Sequence, residues 1–525
     1  MEIIKEQYVD TVDMPKLIEG TIPKIFSELD PHSVYITAED AAAVMEDMEG
    51  SFSGIGVSFN MQTDTILVIS VIPGGPSEKA GLLPFDRIIT INDSVYAGKE
   101  IRDTHVMKLL RGEKNSTVRL GVKRGNEPEL IEFEVTRGEV PVHSVDVSYA
   151  IREGIGYIKV NKFSRTTYNE FITAIAKLKQ QNCTGFIIDL RNNGGGMMDA
   201  AINMVNEFLP AGQLIVYTEG KSFPRSDVHS NGTGTCKDAP LVVLTDEISA
   251  SASEIFAGAI QDNDRGIIVG RRTYGKGLVQ NQIGLNDGSQ LRLTIARYYT
   301  PAGRSIQKEY ELGKGEDYDM DIYNRFIHGE FDSADSIKLD DLPQFKTTIG
   351  RTVYGGGGIM PDIFIPRDTS GITSYYSSIV NTGVLYQFAL EYSDAHKKEF
   401  SAYSNYRDLY EHLKQQPILE EFTNFAMTKG IRKRPALIAI SGPLITNQIH
   451  AYIIRNFFDE EEFYPVFQQD DPVILKAIEV IQSGKSIPLV EEQPEIAADH
   501  VTENKGGASK RYRFIKETPH ARYTV

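Results

Sequence analysis

Three serines alternate with alanine in ISASASEIFAGA, residues 248–259: Ser249, Ser251 and Ser253. LVVLT before them reads as a strand and EIFAGAIQD after them as a helix, so the hydroxyls fall where a strand turns into a helix. Unpaired backbone N–H groups and the positive end of a helix dipole meet there, and both suit a developing oxyanion. Serines in such a place are most often caps, and Ser253 followed by Glu254 fits that use. A nucleophilic serine needs a base beside it, yet no histidine occurs from Leu241 to Thr300. The nearest candidate is Lys276 in RRTYGKGLVQ. An amine accepts a proton once burial lowers its pKa, whereas most loop lysines stay solvated and charged.

Two other segments compete for attention. GRRTYGKG, residues 270–277, follows a strand and resembles a phosphate-binding loop. Gly277 stands where a metal-binding hydroxyl is needed, and LVQNQIGL after it looks extended, so no helix N-terminus awaits a phosphate. DLRNNGGGMMDAA, residues 189–201, ends a second buried strand and opens a helix. Its glycines can turn backbone N–H groups inward to hold an anion, or simply make a tight turn.

These segments need a scaffold, and 525 residues predict about three or four domains. Residues 1–50 read as helical. From Ser51 to Arg137 short β-branched runs (ILVISVI, DRIITIN, TVRLGVKR, LIEFEVT) and one helix make a compact β-rich module. From Pro141 to Pro366 strands and helices alternate, which predicts an α/β layered core. An acidic, aromatic insertion interrupts it at about residues 308–345. Helical patterns dominate from Thr373 to Ser483, and the chain turns polar after Ile487. The net charge of −17 excludes broad nucleic-acid binding. Cys183 and Cys236 form no disulfide framework or metal set. The composition predicts no run of the ~18 apolar residues a membrane helix needs. Met1 is followed by Glu-Ile-Ile-Lys-Glu, which lacks the features of a signal peptide, so either the chain is cytoplasmic or a targeting segment has been removed.

In order along residues 8–366, LDPHSVYI, GIGVSF with GGPSEKAGLLPFDRIITIND, GYIKVNKFS, DLRNNGGG, SASASEIFAGA, GRRTYGKGLVQ, RYYTPAGRSIQ and GGGGIMPDI resemble the carboxy-terminal processing peptidases, or tail-specific proteases. The resemblance implies a multidomain α+β fold: a helical region (1–50), a PDZ-like domain (51–138), a crotonase-like Ser/Lys protease core (139–370), a helical domain (371–485) and a polar tail (486–525). It implies Ser251 as nucleophile, Lys276 as base and Gln280 as the group that holds the amine. It puts the oxyanion hole at the backbone N–H groups of Ala252 and Gly195, with Gly196 the alternative to Gly195. Ser249 and Ser253 are then left as turn and cap.

The same resemblance implies that Gly54, Ile55, Gly56 and Val57 form a loop that binds apolar C-termini of protein or peptide substrates, and that the PDZ-like module gates the dyad. Phe85 departs from the glycine usual there. Further implications are no metal or organic cofactor, a homo-oligomer, an adaptor protein, and an exported or periplasmic location, membrane-associated through an N-terminal segment that precedes Met1. The chain's ARYTV tail, ending at Val525, is expected to enter a peptide site of its own kind. The competing class is a catalytically silent scaffold that binds C-termini. Ser251, Lys276 and Gln280 occurring together favour the enzyme.

Overall fold

A computed structural model of the chain describes residues 2–63, 65–98, 103–125, 127, 129–488, 495–496 and 523–524. They fall into two compact units, each built from separate stretches of chain.

The first unit comprises residues 1–50, 143–367 and 472–497. Its centre is set by strands whose residues are apolar without alternation, the pattern of strands covered on both faces. Ile155–Val160, Gly185–Asp189, Leu241–Thr245 and Ile267–Gly270 are buried at every position. They pair in that order, all parallel, with Ile158 beside Ile188, Ile188 beside Val243 and Val243 beside Ile268. Val145–Arg152 adds antiparallel at one edge, and Ile363–Phe364 then Glu495–Ile496 add parallel at the other. Helices Thr167–Gln180, Met198–Asn206 and Ala252–Asp262 cover the sheet and share one core with it. Cys183 and Cys236 lie buried there as free thiols.

A second sheet forms around the long strand Gln290–Tyr299, which pairs with Val34–Ile36, Leu278–Gly284 and Leu214–Glu219. That pairing puts the N-terminal segment on the same long strand as the one that follows Lys276. The acidic insertion folds into the short helices Gly315–Asp319 and Asp321–Ile327 and buries Tyr318.

One expected boundary shifts. The helix Pro472–Gln482 lies on the first unit's sheet and not with the helices that precede it. Val473, Ile474, Ala477, Ile478 and Val480 are buried there. A Cβ placed on Gly185 would meet Ile481 at 3.2 Å. The helical part of the second unit therefore ends at Asp471, not near residue 485.

The second unit comprises residues 51–142, 368–471 and 498–525. Strands Val57–Thr63, Thr65–Val71, Arg87–Ile91, Thr117–Lys123 and Ile131–Thr136 pair antiparallel in that order around Ile55, Val57, Phe59, Val68, Ile88 and Leu120. At the outer edge of Val57–Thr63, Tyr523 pairs with Phe59 and Thr524 with Ser58, antiparallel. The rest of the polar tail, Val525 included, lies outside the described residues apart from residues 486–488 and Glu495–Ile496.

The helical part is organised around Pro435–Phe457, a 23-residue helix apolar enough to cross a membrane by length and composition, with half of its most apolar stretch buried in the fold. The expectation that no segment reaches membrane length is corrected on this point.

Phe85 finds its explanation here. It keeps the positive φ of a turn glycine, 72°. Its ring lies 6.2 Å from that of Phe457, with the Lys397 amine 5.0 Å above its centre. Leu67 and Ile69 join the same cluster of helical side chains. Backbone strain of roughly 1–3 kcal/mol is thus offset by apolar contact a glycine would not make. Phe85→Ala should lower stability by roughly 2 kcal/mol, since it loses the ring and keeps the strained φ. Phe85→Gly should lose about 1 kcal/mol less. Denaturant unfolding of the three proteins checks that order.

Candidate active site

The parallel pairing of Leu241–Thr245 with Ile267–Gly270 sends two loops out from the same end of the sheet, one to Ser251 and one to Lys276. Ser251 stands directly before the helix Ala252–Asp262, at φ 57° and ψ −113°. Few residues other than glycine adopt that backbone, and it costs of order 1–3 kcal/mol. Three anchors hold it. Ser249 Oγ donates to Leu190 O (2.8 Å) and accepts from Asp246 N (3.0 Å). Ala250 N and Ser253 Oγ both donate to Asn193 O, at 3.0 and 2.9 Å. Ser251 N donates to Glu254 Oε2 at 2.8 Å. Ser249 thus holds a turn as expected. Ser253 is not the cap: Ser251 occupies that position, and Ser253 ties the helix to the glycine-rich loop.

Glu254 is completely buried and joins the two loops. Its Oε2 also accepts from Lys276 N at 2.9 Å, and its Oε1 accepts from Gly275 N (2.7 Å) and Thr273 Oγ1 (2.6 Å). One oxygen atom therefore receives the main-chain N–H of both Ser251 and Lys276. On the carbonyl side, the hydroxyl of buried Tyr298 lies between Ser251 O, at 3.1 Å, and Lys276 O. Burial pushes the Glu254 carboxyl up to about 7, despite the opposing pull of the hydrogen bonds from Thr273, Lys276, Ser251 and Gly275.

The Lys276 amine donates to Gln280 Oε1 at 3.2 Å. Burial holds its pKa below the usual lysine value and the Arg292 guanidinium adds to this, while Glu254 and Asp30 pull the other way. The amine is therefore biased toward its neutral, proton-accepting form. Gln280 Nε2 donates in turn to the carbonyl of His32.

The glycine loop closes the site from the neighbouring strand. Gly195 has φ 99°, and a Cβ there would lie 2.6 Å from Ala250 O and 2.7 Å from Ser251 Cβ. Only glycine permits that approach. Its N–H donates to Asn193 Oδ1 at 2.9 Å, so this donor must be released before it can meet an oxyanion. Gly196, at φ 140°, leaves no room for a Cβ either, because Phe163 O would be 2.0 Å away. Ala252 is the first residue of its helix, where a main-chain N–H has no helical acceptor.

In the other unit, Gly54 ends one strand and Val57 begins the next. Gly56 turns between them at φ 75°. The carbonyls of Ile55 and Gly56 accept from Ser77 N and Ile72 N, both at 2.9 Å, which fixes the loop. Ile55 and Val57 are fully buried.

Glu254, Tyr298, Asn193 and His32 escape a reading by spacing. Glu254 shows only as the fourth residue of an S-x-x-E capping pattern, and Tyr298 carries no local signal. Among the described residues no cluster of His, Cys, Asp or Glu has the geometry to hold a metal.

A strained serine before a helix, a half-buried lysine joined to it through Glu254, and a glycine loop pressed against the serine make up a peptidase-like site. Residues 154–320 match peptidase family S41, and residues 53–148 match the PDZ domain. Residues 375–459 match a family of unknown function. The chain is 35% identical over 311 residues to the carboxy-terminal processing protease CtpB of Bacillus subtilis, covering 59% of this chain and 64% of that one. It is 35% identical over 321 residues to a probable CtpA-like serine protease of Staphylococcus haemolyticus, covering 61% and 62%. The chain thus spans just under two thirds of these curated relatives. Among solved structures, a photosystem II D1 C-terminal processing protease matches at 30% identity over 58% of this chain and 82% of its own, with a TM-score of 0.35. Residues 154–320 thus carry a domain of peptidase family S41, and the chain is similar to carboxy-terminal processing proteases.

A carboxyl raised in the folded state contributes stability below its ordinary value, and this is lost as pH rises through about 7. Glu254→Gln removes that titration. Between pH 5 and pH 8 the wild type should therefore lose more stability than the variant, as measured by thermal unfolding at the two pH values.

Proposed function

We propose that the protein is a serine endopeptidase that cleaves near the C-termini of protein substrates. The observation that carries this reading is the single Glu254 oxygen that accepts the main-chain N–H of both Ser251 and Lys276. In this mechanism neutral Lys276 Nζ takes the proton of Ser251 Oγ as the oxygen attacks the scissile carbonyl. The tetrahedral oxyanion is met by Ala252 N–H together with Gly195 N–H once Asn193 releases it, or with Gly196 N–H in its place. Protonated Nζ then donates to the leaving amine, and the bond to Ser251 becomes an ester. Water, deprotonated by the same amine, hydrolyses that ester. Gln280 Oε1 engages one amine hydrogen and leaves the lone pair for Ser251. None of these steps calls on a metal or organic cofactor. The buried parallel sheet with its covering helices supports a crotonase-like core.

The Gly54–Val57 loop would bind an apolar C-terminus, with the peptide adding a strand to the edge of Val57–Thr63. The pairing of Tyr523 and Thr524 at that edge supports such a use. Gating of the dyad by the bound tail, assembly into a homo-oligomer, an adaptor protein and an exported location belong to the same reading. The silent-scaffold reading is disfavoured, because peptide capture needs neither a neutral lysine nor a strained serine.

Ser251→Ala and Lys276→Ala should each lower cleavage of an apolar-tailed protein at least about 10³-fold while the fold persists. Activity at wild-type level in either variant would leave only the scaffold. Because the base works uncharged, kcat/KM should rise with pH through the Lys276 pKa. Arg292→Gln removes a charge that lowers that pKa, so the rising limb should move to higher pH. A full pH–rate profile of each protein measures it.

A further inference from the structure

The segment LDPHSVYI has no part in the chemistry above, yet it reaches the site. Asp30 is buried and organises a tight turn. Its Oδ1 accepts from His32 N (3.0 Å), Ser33 N (3.1 Å) and Thr294 Oγ1 (2.8 Å), and its Oδ2 from Ser33 Oγ (2.5 Å). Ser33 Oγ accepts in turn from Thr294 N at 3.0 Å. The turn is therefore clamped to Gln290–Tyr299, the strand that pairs with the one carrying Gln280. Two groups of His32 then face the site. Its carbonyl accepts from Gln280 Nε2. Its Nε2 lies 2.9 Å from the Tyr318 hydroxyl, with the two rings edge to face at 5.1 Å. Gln307 Nε2 donates to the same hydroxyl at 3.2 Å, and Gln307 Oε1 accepts from Gly277 N, next to Lys276, at 2.8 Å.

These bonds close a ring around the lysine, from its amine through Gln280, His32, Tyr318 and Gln307 to the peptide group after it. The ring also fixes the sense of the Gln280 amide. A main-chain carbonyl can only accept, so Nε2 must face His32 and Oε1 must face the amine. If the amide turned over, its N–H groups would compete for the amine lone pair that Ser251 needs.

We propose that Asp30–Ser33 is a positioning element of the catalytic site, with His32 the residue that holds Gln280, and through it Lys276, in the proton-accepting arrangement. This rests on the Ser/Lys reading above. Burial, Lys276 and Lys308 hold the His32 ring well below its usual pKa, to about 4, against the pull of Asp30. The ring is thus neutral wherever Lys276 could serve as base, and its role is one of geometry. Loosening it should let Gln280 rotate and water approach the amine, which raises the Lys276 pKa and misplaces its lone pair.

The test compares His32→Ala, His32→Gln and Tyr318→Phe with the wild type in the full-length protein, using an apolar-tailed substrate. His32→Ala should lower kcat roughly 10–100-fold with KM little changed, and should move the rising limb of the pH profile to higher pH. His32→Gln, which can still reach the Tyr318 hydroxyl, should recover most of the rate. Tyr318→Phe removes only the hydroxyl from a well-packed ring, so it tests the same link should His32→Ala fail to fold, and it should shift the limb in the same direction. A wild-type kcat and limb in both His32→Ala and Tyr318→Phe would overturn the positioning role, as would a loss confined to KM. In either case the Ser/Lys reading would stand if Ser251→Ala and Lys276→Ala are inactive. Activity in those two variants would instead overturn the reading itself.

Discussion

One carboxylate carries the geometry of the site. Parallel pairing of two strands brings the Ser251 and Lys276 loops to the same end of the sheet, but strand pairing does not set atoms to within tenths of an ångström. Glu254 does so by taking the N–H groups of both residues on one oxygen, with Thr273 and Gly275 on the other. Burying a carboxyl without partners would cost several kcal/mol or more. Four donors offset much of that, and its pKa stays elevated even so. The strained backbone at Ser251 persists because this carboxylate, Asn193 and Tyr298 over-determine it.

Around that centre the fold supplies close approaches. Gly195 brings a main-chain loop nearer to the serine, and Gly196 brings it nearer to Phe163, than any side chain would allow. Asn193 links this loop to both the serine turn and the helix after it, so three separate strand ends share a single hydrogen-bonded cluster. The second sheet works differently. Its long central strand collects segments far apart in sequence, and through it the N-terminal turn is delivered to Gln280.

Much of this was legible in the residues. The four buried strands are continuous apolar runs bounded by turn residues, and both loops with reactive side chains follow such runs directly. What stayed hidden was non-local. Pro472–Gln482 has the same amphipathic pattern as the helices before it, and nothing in that pattern says which core it covers. Glu254 looks like half of a helix cap, because capping a serine and bridging to a distant lysine use the same carboxylate at the same spacing. Phe85 reads as a defect in a turn until the ring of Phe457 is seen opposite it. His32 meets Gln280 through its carbonyl, a group every residue has.

The return of Pro472–Gln482 to the first unit has a consequence for biosynthesis. A ribosome makes the strands beneath that helix early and the helix itself late, with the helical part of the second unit in between. Until it emerges, the apolar surface around Gly185 has no cover, and the nascent molecule must be shielded by other means. Translation order thus acts as a timer that withholds a finished first-unit core until Gln482 has left the tunnel.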